Sequence, residues 1–155
     1  MSEPRLIRGA AALLFERLTD LDPGRESEVP PQRLLDSEGL RASIAGELGR
    51  LLNTRAPVPS DVLARRRRST IDYGIPDLTL FAPGDPAGEA LLAAMVTEAI
   101  AVFEPRLGAP RARIKPVPGR NGALIVEVEG ELQIGEVIEA VSFAVAIDGR
   151  AKPDG

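Results

Sequence analysis

The chain has 155 residues, a formal net charge of −4, and neither cysteine nor histidine. Without those two residue types it has no disulfide, thiolate or imidazole chemistry, which excludes Ser-His-Asp and Cys-His nucleophilic sites and His-ligated zinc. The length fits one domain over residues 1–155 with a core of its own, and the acidic balance argues against a general nucleic-acid binder.

Seventeen arginines stand against Lys115 and Lys152. That bias is either a matter of coding composition or a supply of groups that pair bidentately with carboxylates at interfaces. Arg8 and Glu16 break any signal-peptide run in residues 1–20, and no segment approaches the roughly 20 apolar residues of a membrane span. The expectation is a cytoplasmic protein without direct membrane insertion.

In chain order, Ile7, Ala11, Leu14, Phe15 and Leu18 recur at the spacing of one helical face, which predicts a helix over 5–18. Asp22-Pro23-Gly24 stops it, and 25–33 reads as a charged, proline-interrupted linker. A second helix starts at Asp36 or Ser37, carries Leu40, Ile44, Leu48, Leu51 and Leu52 on one face, and ends before Pro57. Asn53 suits its C-terminus because Asn tolerates the left-handed conformation. A third helix has Asp85 as N-cap and Pro86 at its first position. Leu92, Met95, Val96, Ala99, Ile100 and Phe103 form its stripe, and Pro105 ends it by pushing Glu104 away from helical angles.

After that the period changes to two. Arg111, Arg113 and Lys115 alternate with Ala112 and Ile114; Leu124, Val126 and Val128 alternate with Ile125, Glu127 and Glu129; and Val141, Phe143, Val145 and Ile147 share one face of a last strand over 141–148. Residues 118–122 form a loop of hairpin length, and 132–139 reads as either strand or loop. The architecture is α+β, three helices packed on a small antiparallel sheet, with a helical part over 5–55 and a helix-plus-sheet part over 69–149. Pro116 makes the first strand an edge, whose cations face either solvent or a docking partner.

The chemistry-bearing residues cluster in two places. Arg65 to Arg68 form a cationic run that is a solvated face, a surface for an acidic protein partner or a phosphate site; with Tyr73 as the only aromatic residue nearby, the last is the weakest. Tyr73-Gly74-Ile75-Pro76-Asp77 is a constrained turn in which Gly74 takes positive φ, Pro76 extends Ile75, and Asp72 pairs with a nearby arginine. Glu104-Pro105-Arg106 places a carboxylate and a guanidinium on either side of a helix-ending proline. These two groups either pair internally or reach complementary charges on a partner. Catalysis would have to use carboxylates such as Glu16 with Asp20, or Glu104 with Asp77, and nothing nearby builds a sugar cleft. No residue set suggests a cofactor or a metal.

Leu14-Phe15-Glu16-Arg17-Leu18, Glu47-Leu48-Gly49-Arg50-Leu51-Leu52-Asn53-Thr54-Arg55, Ser69 to Leu78 and Phe103-Glu104-Pro105-Arg106-Leu107 occur in an order and spacing that resembles the TssE family. These are baseplate subunits of type VI secretion systems, related to the sheath-initiating wedge protein of contractile phage tails. The likeness covers about residues 6–148; the segment 131–142 departs from it. It implies a fold like the sheath protein's interlocking domain and a non-enzymatic wedge subunit that helps nucleate the sheath. Its implied partners are the wedge subunits TssF, TssG and TssK and the sheath proteins, with the assembled apparatus docked at a membrane. It implies that Glu104, Pro105 and Arg106 hold the subunit to the wedge core and that exposed strands offer edges to the sheath. Tyr73, Gly74, Pro76, Asp77, Arg111 and Arg113 complete the expected partner-binding set. Charge reversal at Arg106 is expected to spare the fold and abolish assembly. A lysozyme-like peptidoglycan hydrolase is the alternative.

Overall fold

Two well-capped helices carry most of the helical core. In α1 (Ser37–Leu52) the Asp36 carboxylate accepts from the Gly39 amide at 2.7 Å, and Glu38 and Arg50 sit at the ends that the helix dipole favours. Its buried face is Leu40, Ile44, Leu48, Leu51 and Leu52, as the spacing predicts. Its end differs from expectation. Asn53 has φ −97°, not a left-handed angle, and its side-chain amide instead donates to the Gly49 carbonyl at 2.9 Å and to the Ala146 carbonyl at 3.3 Å.

The computed structural model describes residues 10–11, 34–78, 81, 84–120 and 122–148. Most of the helix expected over 5–18 lies outside them. Within them Ala10–Ala11 (β1) pair antiparallel with Leu34–Leu35 (β2), so the chain is extended there and not helical. Helical spacing is a local signal, and pairing with a segment more than twenty residues on overrides it. Between the long helices lie a one-turn α2 (Ser60–Leu63), which no sequence signal announces, and a 3₁₀ turn (Thr70–Asp72). Among the described residues this makes three α-helices.

In α3 (Pro86–Phe103) Asp85 accepts from the Ala87 and Gly88 amides, each at 3.1 Å, with Pro86 at the first position. Glu104 leaves helical angles at φ −126° and ψ 68°, outside the α region that a following proline disfavours. The expectation that no segment approaches a membrane span needs correction here. This 18-residue helix, of mean hydropathy 1.5, is long and apolar enough to cross a membrane by length and composition. In the fold Leu92, Met95, Val96, Ala99 and Ile100 are buried, and Leu91 and Val102 are exposed.

The sheet is antiparallel with order β3 (Leu107–Pro116), β4 (Ala123–Ile134), β5 (Val137–Asp148). The ambiguous segment 132–139 resolves into the end of β4, a two-residue turn at Gly135-Glu136 and the start of β5, with Ile134 opposite Val137. Gly135 has φ 63°, as tight hairpin turns require. β3 starts earlier than predicted and its register shifts between Gly108 and Arg111, where Ala109 takes φ 45°. Leu107, Val126, Val128, Leu132, Val141 and Ile147 join α1, α3, Ile75 and Leu78 in one apolar core.

Candidate functional site

The signature turn is fixed by backbone geometry. Gly74 has φ 116°, and a Cβ there would lie 2.6 Å from the Thr54 carbonyl oxygen and 2.8 Å from the Ala56 nitrogen. Only glycine admits this approach. It lets Ile75 donate to Thr54 at 2.9 Å and accept from Ala56 at 2.8 Å, a parallel bridge between the turn and the chain leaving α1. Ile75 and Pro76 are buried and Asp77 is exposed. Tyr73 donates its hydroxyl to Glu47 at 2.6 Å and packs edge-to-face on Phe103, ring centroids 5.3 Å apart.

The arginine run divides, with Arg65, Arg66 and Arg67 exposed and Arg68 buried. Arg65 and Arg67 are exposed, while Arg66 pairs with the carboxylate of Asp72, itself fully buried. Asp72 also accepts from the Ser69 amide at 2.8 Å and its hydroxyl at 3.1 Å. The Ser69 amide, ahead of the opposing effect of burial, holds the Asp72 carboxyl below its ordinary range, with Arg66 and Arg68 adding to it. Arg68 is 8% exposed; it donates to the Gly74 carbonyl at 2.9 Å and the Met95 carbonyl at 3.3 Å, and its Nε lies 3.8 Å from Glu98. Burial lowers its pKa, against the pull of Glu98 and Asp72. Arg68 therefore binds the turn to α3 and is not presented to a partner.

The Glu-Pro-Arg corner is also turned inward. Glu104 is 1% exposed and receives a two-pronged contact from Arg106, Nε to Oε1 at 2.7 Å and Nη2 to Oε2 at 2.6 Å. The third prong, Nη1, donates to Ser43 on α1 at 2.8 Å. Of the two sequence readings the internal pair is the one present. Pro105 remains exposed beside a cleft of about 290 Å³ lined by Leu40, Pro105, Arg106, Glu131, Gln133 and Ile138.

Glu47 joins the corner to the turn. Burial pushes its carboxyl up, but the Tyr73 hydroxyl, the Arg50 guanidinium bonded to it at 2.6 Å, and the charge of Arg106 outweigh that and leave it below the usual range. Tyr73 is held well above its ordinary value by burial and then by Glu47. Tyr73, Glu104 and Arg106 thus meet through α1 in one network. Arg111 and Arg113 lie apart from it, on the exposed sheet face, where Arg113 is 3.7 Å from Glu129 and Lys115 is 2.7 Å from Glu127.

No local sequence signal marks Glu47 or Arg50, although both stand in the Glu47–Arg55 segment that carries the resemblance. Ser43 and Thr97 carry no sequence signal. Of the carboxylates considered for catalysis, Glu104 has both oxygens occupied by Arg106, Asp77 is exposed, and Glu16 and Asp20 lie outside the described residues. Among the described residues no group of three or more metal-ligating side chains is placed to hold a metal ion.

A comparison with curated proteins gave no match. Among solved structures, a chain of "The baseplate complex from the type VI secretion system" aligns with TM-score 0.50 and 19% identity, over 72% of this chain and 96% of that one. A crystal structure from Geobacter sulfurreducens whose description names a tail lysozyme aligns with TM-score 0.48 and 18% identity, over 76% and 98%. The family described as "Baseplate wedge protein gp25" matches residues 38–136, from the first turn of α1 to the β4–β5 turn. That match spans more than half of the sequence and contains both signature motifs, and the chain belongs to the baseplate wedge protein gp25 family.

Proposed function

We propose that this protein is a structural, non-catalytic wedge subunit of a contractile injection baseplate of the type VI secretion kind, and that it helps start the sheath. The observation that carries the reading is the convergence of the Tyr73–Asp77 turn and the Glu104–Arg106 corner on Glu47 and Ser43 of α1. The network makes a rigid mount and leaves Pro105 and the adjoining cleft facing outward. On this account Glu104 orients Arg106, and the contact with the wedge core is made by Pro105, the rim of Arg106 and Glu131. By family likeness the neighbours are TssF, TssG and TssK, in a cytoplasmic assembly docked at a membrane.

The sheath contact is a second surface, and the geometry favours β5 over the edge first expected at 111–117. Pro110 and Pro116 in β3 have no N–H, and the Ala112 amide donates to Thr97 of α3 at 3.1 Å. β5 lies at the other side of the sheet without a further strand beside it among the described residues. It carries no proline and no lysine.

Reconstitution of the wedge with Pro105→Ala and Glu131→Lys tests the reading. Both side chains are exposed, so stability is expected to fall by no more than about 1 kcal/mol, from the proline's effect on the unfolded chain, while incorporation falls at least about tenfold. Normal incorporation of both variants would overturn the docking role of the corner. Clearing of peptidoglycan in zymograms by the wild-type protein would restore the hydrolase alternative, which no carboxylate geometry among the described residues favours.

A further inference from the structure

Among the described residues no strand lies beyond β5, and Asn53 contacts that free side at Ala146. In an antiparallel strand, alternate residues direct their backbone groups to opposite sides. The Ile134–Val137 pair that closes the two-residue turn is a hydrogen-bonded one, so Val137, Glu139, Val141, Phe143, Val145 and Ile147 face β4. Ile138, Ala140, Ser142, Ala144 and Ala146 then face away from it. The contact from Asn53 to the Ala146 carbonyl agrees with this assignment. All five outward residues are exposed, and none is charged.

Asn53 divides its two amide hydrogens between the Gly49 carbonyl in the last turn of α1, at 2.9 Å, and the outward carbonyl of Ala146, at 3.3 Å. It is therefore anchored to a helix and stands across the edge at one residue. We infer that Asn53 is a strand stop: an incoming extended segment of the sheath partner pairs with Ile138 to Ala144 and no further. The inference rests on the reading of β5 as the sheath-binding edge.

The same geometry states what that segment must be. Residues of the incoming strand that lie over Val141, Phe143 and Val145 fall on the core side, where Phe143 and Val145 are half-buried at the rim of the core; these must be apolar. Residues opposite Ala140, Ser142 and Ala144 fall on the outer face beside small side chains, and have no charge of β5 to pair with. The fit is to a short, alternating apolar strand, with its register set by Asn53.

Amide hydrogen exchange of the full chain, read residue by residue with and without the contractile sheath protein of the same organism, tests this. Exchange at Ile138, Ala140, Ser142 and Ala144 is expected to slow at least about tenfold on binding, while Ala146 does not change. Asn53→Asp, which keeps the side-chain size but removes both donors, and Asn53→Ala are each expected to extend the slowing to Ala146. Slowing at Ala146 in the wild type, or its absence there in either folded variant when the other four amides are slowed, overturns the stop and leaves the edge reading standing. No slowing anywhere on β5 overturns the edge reading itself.

Discussion

Gly74 is the residue on which the signature turn depends, for two separate reasons. Its φ of 116° lies where side-chained residues are strained, and a Cβ would enter the space of the Thr54 carbonyl. Either alone costs about 1–3 kcal/mol. Gly74→Ala is therefore expected to destabilise by about 3 kcal/mol or more, read from the midpoint of chemical unfolding. A loss below about 1 kcal/mol would mean that the strand-like contact between Ile75 and Thr54 is not needed. The positive φ was legible in the sequence, since glycine precedes an extended pre-proline residue. The close approach was not, because Thr54 and Ala56 belong to a different segment.

At the level of elements, the corner between α3 and β3 is where helix chemistry and sheet chemistry meet. Pro105 ends the helix, and the buried Glu104–Arg106 pair fixes the direction in which the strand leaves. Removing one partner of a buried pair strands the other, at about 3–5 kcal/mol. Glu104→Gln is expected to cost about 3 kcal/mol by denaturant titration, and an Arg106→Glu reversal more, since two carboxylates would then face each other. The expectation that reversal spares the fold is thus revised. Helix ends and strand periods at this corner were readable from Asp85, Pro86 and Pro105. The inward turn of Arg106 was not, because its third contact is to Ser43 on another helix.

For the molecule as a whole, the carboxylates of the polar network make stability fall on acidification. Asp72 and Glu47 have ordinary values of 3.8 and 4.5 and are both lower in the fold. The unfolded chain therefore binds protons first on acidification. The stability that the two groups contribute is complete above those ordinary values and is lost as pH falls through the lower folded ones. The melting temperature is expected to hold from about pH 7 to 5 and to drop below about pH 4, with a shallower drop in Asp72→Asn. Parallel acid profiles for wild type and variant would remove Asp72 from this account. The α+β class, the caps and stripes of the two long helices and the signature turn were legible because each follows from neighbours in the chain, and the lack of cysteine and histidine chemistry follows from composition. That Arg68 and Glu104 point inward, and that β5 has no further strand beside it among the described residues, became visible only in three dimensions. The contacts responsible, Arg68 to Met95, Arg106 to Ser43, Thr97 to Ala112 and Asn53 to Ala146, join residues far apart in sequence, where no local spacing can encode them.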